Sequence, residues 1–253
     1  SLQRFLDSKR EELFTNYGLF VPRSLGRLSH IYLTAFAQND DIFTTRHRRA
    51  ANISNHSELI DFRESLKLKF YQEVEKHSKA TRCLITSESL SNTLKDEESV
   101  LRVKDFLSPI FSDITIFMYI RRQYLKALSD FAQAIKAGNP RSSFFPSQPK
   151  KKWAYSYLEM YKLWKDIFPN VQFVVRKFEK DALKNRDIVS DVFQLLNVSY
   201  PFNETPMTYN TSLSAKGQII LKEIYEYLQE QDLEKDKLHK NKLISDLEAL
   251  FPG

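Results

Sequence analysis

Residues 113–138 read D-I-T-I-F-M-Y-I-R-R-Q-Y-L-K-A-L-S-D-F-A-Q-A-I-K-A-G, and their hydrophobic period changes halfway. Residues 114–120 are a short apolar run rich in β-branched and aromatic side chains, too short for a helix and suited to a strand buried on both faces. The run stops at Arg121 and Arg122. From Gln123 onward Tyr124, Leu125, Leu128, Phe131, Ala132 and Ile135 recur at helical spacing, and Gly138-Asn139-Pro140 supplies a C-terminal stop. A strand, a doubly basic turn and a helix in this order point to an α/β architecture with a parallel sheet. In such sheets ligands bind outside the carboxyl ends of the strands, so Arg121 and Arg122 stand where an anion would bind, with Ser129 two turns into the helix.

The same alternation organises the rest of the chain. Leu2, Phe5, Leu6, Leu13, Phe14 and Tyr17 mark one face of a helix starting at the first residue, Gly18 stops it, and residues 19–22 make a short strand. Leu28, Ile31, Tyr32, Ala35 and Phe36 give a second helical face that carries His30, and the polar, basic residues 44–49 are expected as a loop. Leu59, Ile60, Leu66, Phe70 and Val74 predict a long helix ending near Lys79; residues 82–86 read as the next core strand, with Ser87-Glu88-Ser89 as its carboxyl-end loop. The helix built on Val100, Leu101, Phe106 and Leu107 then crosses to 114–120, as a parallel sheet requires.

Residues 139–152, with three prolines, two phenylalanines and Lys150-Lys151-Lys152, form a loop long enough to act as a substrate-side element. Tyr155, Leu158, Tyr161, Trp164, Ile167 and Phe168 predict a helix whose rings are core packing rather than a stacking platform. A strand over 171–176, a helix through Ile188, Val192, Phe193 and Leu196, and two helical patterns at 217–230 and 235–250 complete the reading. At 253 residues the chain is expected to be one domain, with 214–253 as a helical extension.

Charge and cysteine content narrow the chemistry. A net charge of +6 favours anionic partners such as nucleotides, sulfated or uronic glycans, or nucleic acid. Cys83 is the only cysteine and lies in the apolar run Cys83-Leu84-Ile85, where it reads as a small core residue; a disulfide framework and a cysteine-rich metal site are excluded. Its solitude fits a reducing, cytoplasmic setting. The Asn-x-Ser/Thr triplets at Asn52, Asn55, Asn197, Asn203 and Asn210 leave a secretory origin open. No apolar stretch approaches the ~18 residues that a membrane span needs.

Several landmarks together resemble one family. S-L-Q-R-F-L-D-S-K-R-E-E-L-F-T-N-Y-G-L-F-V-P at the start, then L-S-H-I-Y-L-T-A-F, I-T-S-E-S-L, I-R-R-Q-Y-L-K-A-L-S, V-V-R-K-F-E-K-D and F-Q-L-L-N-V are similar in order and spacing to sulfotransferases of the bacterial and carbohydrate type. The resemblance covers residues 1–198. It implies a three-layer, P-loop NTPase-like α/β fold whose central parallel sheet, flanked by helices, binds 3'-phosphoadenosine-5'-phosphosulfate. The sulfuryl group passes to a hydroxyl or amine of a carbohydrate-like or small-molecule acceptor, and neither nucleic acid nor a metal is expected to take part. The resemblance also implies that a first strand and the loop for the 5'-phosphosulfate lie immediately before Ser1, outside the sequence given.

On the same resemblance Arg121 and, eight residues later, Ser129 hold the 3'-phosphate. Arg122 stands where the family usually has Asp and becomes a second phosphate contact, and Lys216-Gly217 corresponds to an Arg-Lys-Gly element closing on the same group. His30 and Glu88 are the two candidates for the base that accepts the acceptor's proton. A kinase of related fold using ATP, and a non-catalytic glycan- or partner-binding protein of this fold, are the alternatives at this level.

Overall fold

The computed structural model describes residues 2–139, 153–201, 213–231 and 237–251, with backbone alone for 237–240. Residues 140–152, expected as a loop and including the triple lysine, and most of 201–210 lie outside the described residues. The chain is mixed α/β, mostly helical, with two small parallel sheets. By its contacts it divides into two compact units, one of Ser1–Ile120 with Lys152–Asn203 and one of Arg121–Lys151 with Glu204–Gly253.

The first unit opens with α1 (Leu2–Ser8) and α2 (Arg10–Tyr17), where the sequence predicted one helix. Lys9 leaves helical geometry at φ −110°, ψ 11°, and the break turns Arg10 into the interior, where it is 6% exposed. Gly18 ends α2 in the left-handed conformation (φ 61°), the stop its type predicts. The strand β1 (Leu19–Phe20) follows at once and pairs in parallel with β2 (Arg82–Cys83). Between them run α3 (Ile31–Ala37), α4 (Arg46–Ala50) and α5 (His56–Lys76).

Two local expectations change here. His30 precedes α3 instead of lying on it, with a left-handed backbone (φ 42°) that a helix interior excludes. Residues 44–49 are not all loop: Thr45 caps α4 by accepting the Arg48 N–H, and Arg48, fully buried, donates to the carbonyls of Gln38 (2.7 Å) and Asn39 (3.1 Å). A basic run expected as a loop thus holds a buried guanidinium that ties down the end of α3.

Asn55 caps the 21-residue α5, its side chain accepting the Glu58 N–H at 3.0 Å while the Glu58 carboxylate takes the Ser54 N–H. Asn55→Ala should therefore cost about 1 kcal/mol in urea denaturation, as loss of a helix cap does. After β2 come α6 (Glu88–Thr93) and α7 (Glu97–Leu107), then β3 (Thr115–Ile120), which pairs in parallel and in full register with β4 (Gln172–Lys177). The helix α9 (Tyr157–Ile167) precedes β4 and α10 (Ile188–Leu195) follows it. Of the face predicted here, Trp164 is core, 8% exposed and stacked at 5.9 Å on the 2%-exposed Phe168 just beyond α9, whereas Tyr161 is half-buried and Leu158 is exposed.

The strand β3 is not buried on both faces as its composition predicted; Thr115 is exposed and the other residues are half-buried. Among the described residues β3 has one hydrogen-bonded neighbour, β4, so its other edge and part of its faces lack the cover a central strand receives. The main core gathers Leu33, Leu66, Phe70, Val100, Phe106 and Trp164, and a second one joins Leu6, Leu13, Leu19, Leu84, Val192 and Phe193.

In the second unit α8 (Gln123–Lys136), α11 (Ala215–Glu230) and α12 (Lys237–Leu250) share a core of Ile135, Leu213, Leu221, Tyr225 and Leu247. The C-terminal helical patterns are thus the partners of the helix that follows Arg122. Among the described residues no helix is long and apolar enough to cross a membrane.

Candidate functional site

In the first unit the candidate residues gather where β1 and β2 end. His30 is 1% exposed, and its imidazole bridges the two strand-end loops. Its Nδ1 accepts the Thr86 N–H at 2.8 Å, and its Nε2 donates to the Pro22 carbonyl at 2.9 Å. These bonds set the tautomer, with the proton on Nε2. Burial pushes His30 down from the ordinary 6.5 to about 4, against the pull of the Pro22 and Thr86 carbonyls. The ring is neutral, and its one lone pair is taken by Thr86.

Glu88 begins α6, two residues beyond Thr86, and is exposed. Ser87 caps this helix by accepting the Ser89 N–H, and Ser89, buried, accepts from Arg46 Nη2 at 3.2 Å. The fixed loop presents the Glu88 carboxylate to solvent in the first helical turn, where a negative charge is favoured. His30 and Glu88 thus share one neighbourhood. One is a buried bracket and the other an open carboxylate.

Two groups that the sequence reading passed over complete this end of the unit. Arg10 donates to the Val21 carbonyl and, at 2.7 Å, to the Arg27 carbonyl, while Glu73 accepts the N–H groups of Arg23 and Ser24, both at 2.8 Å. With His30 on Pro22, the 21–28 loop is pinned at both ends and in the middle. An arginine following a strand end, the signal used for Arg121, also exists at Arg23 and had the same claim to notice.

Near the carboxyl ends of β3 and β4 lies a buried polar cluster. Tyr119 and Arg176 are register partners on adjacent strands, so their side chains project from one face. Both reach Asp191 of α10, which is fully buried: Tyr119 Oη donates to Oδ2 at 2.6 Å, Arg176 Nε to the same oxygen at 3.2 Å and Arg176 Nη2 to Oδ1. The Lys184 N–H adds a bond of 2.9 Å to Oδ1. Burial alone would raise Asp191, but the arginine, the phenol and this N–H outweigh it and hold the carboxyl below the usual carboxylate range.

In the second unit Arg121 and Arg122 open α8, and Arg122 is its N-cap residue. No side chain of the described residues caps this helix and its own first turn has no acidic residue, so its first backbone N–H donors lie next to two arginines in the chain. Ser129 is half-buried on α8, roughly 9 Å along the axis from the first helical residue at 1.5 Å rise per residue. Lys216 is exposed in the first turn of α11, its ammonium 5.3 Å from the Phe251 ring centroid. Gly217 beside it is buried, and an added Cβ would meet Phe251 Cβ at 3.0 Å, so close packing requires the glycine. His30 and Glu88 therefore belong to one compact unit, and Arg121, Arg122, Ser129 and Lys216 to the other. Among the described residues no cluster of His, Cys, Asp or Glu could hold a metal ion.

No protein-family profile matches the chain, and no solved structure matches it. The chain is similar to an uncharacterised protein of Archaeoglobus fulgidus, with 29% identity over 149 residues. That segment is 57% of this chain and 38% of the archaeal protein, so the match spans well under half of that relative's length.

Proposed function

We propose that this chain is a sulfotransferase of the P-loop NTPase-like α/β class, transferring a sulfuryl group from 3'-phosphoadenosine-5'-phosphosulfate to a hydroxyl or amine of a carbohydrate-like acceptor. The observation that carries the reading is the passage from β3 into α8: a parallel strand ends at Arg121-Arg122 and the next helix begins uncapped, with no acidic residue in its first turn. Such an end suits a dianionic phosphate monoester, because guanidinium groups present planar donor pairs and the helix adds backbone N–H groups.

Arg121, Arg122 and the first turn of α8 would hold the 3'-phosphate, Ser129 would add a hydroxyl donor, and Lys216 would supply further positive charge. When bound, the donor supplies the sulfuryl group. Glu88 is the better placed of the two bases, since its carboxylate is exposed while His30 is closed on Pro22 and Thr86. Glu88 takes the proton that the acceptor oxygen or nitrogen loses as it bonds to sulfur, and His30 holds the loop that precedes Glu88. The two parallel pairs fit the same reading.

Calorimetric titration of the full-length protein with 3'-phosphoadenosine-5'-phosphate tests the proposal. Arg121→Ala should weaken binding by about 2 kcal/mol, as loss of a hydrogen bond between charged groups does, and Ser129→Ala by about 1 kcal/mol. Unchanged affinity in both variants would discard the donor-site assignment.

A further inference from the structure

We infer that the strapped loop after β1 is an anion-recognition element, in which Arg23 and Arg27 bind the acidic groups of a sulfated or uronic oligosaccharide. Beside this loop is a solvent-open cavity of about 710 Å³ lined by Arg4, Asp7, Ser8, Arg23, Arg27 and Leu28. That volume is in the range of small-molecule sites. Three guanidinium groups face it and one carboxylate, Asp7, which bonds Arg27 Nε at 2.9 Å and Arg10 Nη2 at 3.3 Å.

The way the loop is held argues for a ligand. Arg10 and His30 are buried, at 6% and 1% exposure, and both act on main-chain carbonyls of the 21–28 segment. Glu73 holds two of its N–H groups. Gly26, at φ 115°, completes the turn where a Cβ would lie 3.0 Å from the Ile31 nitrogen. Burying a charge to fix a surface loop is costly where apolar packing would serve the core as well. The return is geometry: the Arg27 side chain, 80% exposed, is oriented through Asp7, and Arg23, also exposed, projects from a backbone that Glu73 immobilises. Ligand groups held on a preformed frame lose less freedom on binding.

The lining also selects the class of anion. Among the described residues it contains no aromatic ring, so nucleobases find no stacking platform there. Leu28, 43% exposed, offers an aliphatic floor of the kind that the apolar face of a sugar ring can cover, between charges that meet sulfate esters or uronate carboxylates. Naming this ligand the acceptor rests on the sulfotransferase reading; binding of the glycan does not.

The test is fluorescence anisotropy of the full-length protein with a labelled heparin-derived hexasaccharide. Arg23→Ala/Arg27→Ala should weaken binding at least tenfold. A control, Lys69→Ala/Lys162→Ala, removes the same charge from exposed positions on α5 and α9 and should change affinity less than twofold. A desulfated hexasaccharide that keeps its carboxylates assigns the recognised group: retained binding identifies the uronate, and lost binding the sulfate ester. Equal weakening in both double variants would reduce the effect to net charge and overturn the site. A single-stranded oligonucleotide of equal charge, bound as tightly and lost in the same variant, would overturn the glycan assignment. Because this titration needs no donor, it can fail while nucleotide binding at Arg121 stands, and the reverse.

Discussion

Asp191→Ala should lower the stability of the protein by about 3–5 kcal/mol in urea denaturation at neutral pH, the range for breaking a buried ion pair by removing one partner. The carboxylate is fully buried and holds three groups from different segments: the phenol of Tyr119 on β3, the guanidinium of Arg176 on β4 and the N–H of Lys184. Its removal leaves a phenol, a backbone N–H and a part-exposed cation short of their acceptor. Asp191→Asn keeps acceptor capacity without the charge and should cost less. If Asp191→Ala instead melted within 1 kcal/mol of the parent, this cluster would not be what binds α10 to the second sheet.

The second large effect is on pH. His30 is neutral when folded because burial lowers it from the ordinary 6.5 to about 4. Between these values the unfolded chain binds a proton that the folded chain refuses, so stability is full above pH 6.5 and falls as the pH drops toward 4. At 1.36 kcal/mol per pH unit the loss approaches about 3 kcal/mol. His47 is lowered to about 4 as well, by burial and by Arg46, and adds to the slope in the same window. The share of His30 is read as the difference between the parent and His30→Gln, in denaturation midpoints taken every half unit from pH 7.5 to 4. Parallel curves for the two proteins would show that His30 does not titrate with unfolding. The sign follows from depression of a basic group; a histidine stabilised as a cation would give the opposite slope.

Both predictions rest on long-range contacts that no local pattern contains. What could be read along the chain was governed by nearest neighbours: the change of period at Arg121, the left-handed Gly18 ending α2, the helix pattern from Gln123, and the aromatic residues that pack α9. These depend on backbone sterics and on which side chains recur at i+3 and i+4. The misreadings share one cause. Residues 44–49 looked like a loop because they are polar and basic, yet they hold a short helix whose Arg48 is buried by carbonyls that only the end of α3 brings near. The strand 114–120 looked central because its side chains are apolar, but burial of a strand is set by its neighbours, and β3 has one among the described residues.

The candidate site divides in the same way. That Arg121, Arg122 and Ser129 lie at a strand-to-helix passage follows from period and spacing alone, since α8 fixes their order and rise. That His30 is a bracket and Glu88 an open carboxylate does not, because the partners of His30 are 8 and 56 residues away in sequence. The same holds for Arg10 and Asp191, charged residues whose burial is tolerable only with acceptors or donors supplied by distant segments. Sequence by itself determined where strands and helices alternate and which basic residues follow strand ends, because those properties are local. Only the tertiary structure decided which charged and titratable groups are buried, and therefore which loops they pin, because desolvation and hydrogen bonding depend on what the rest of the chain packs against them.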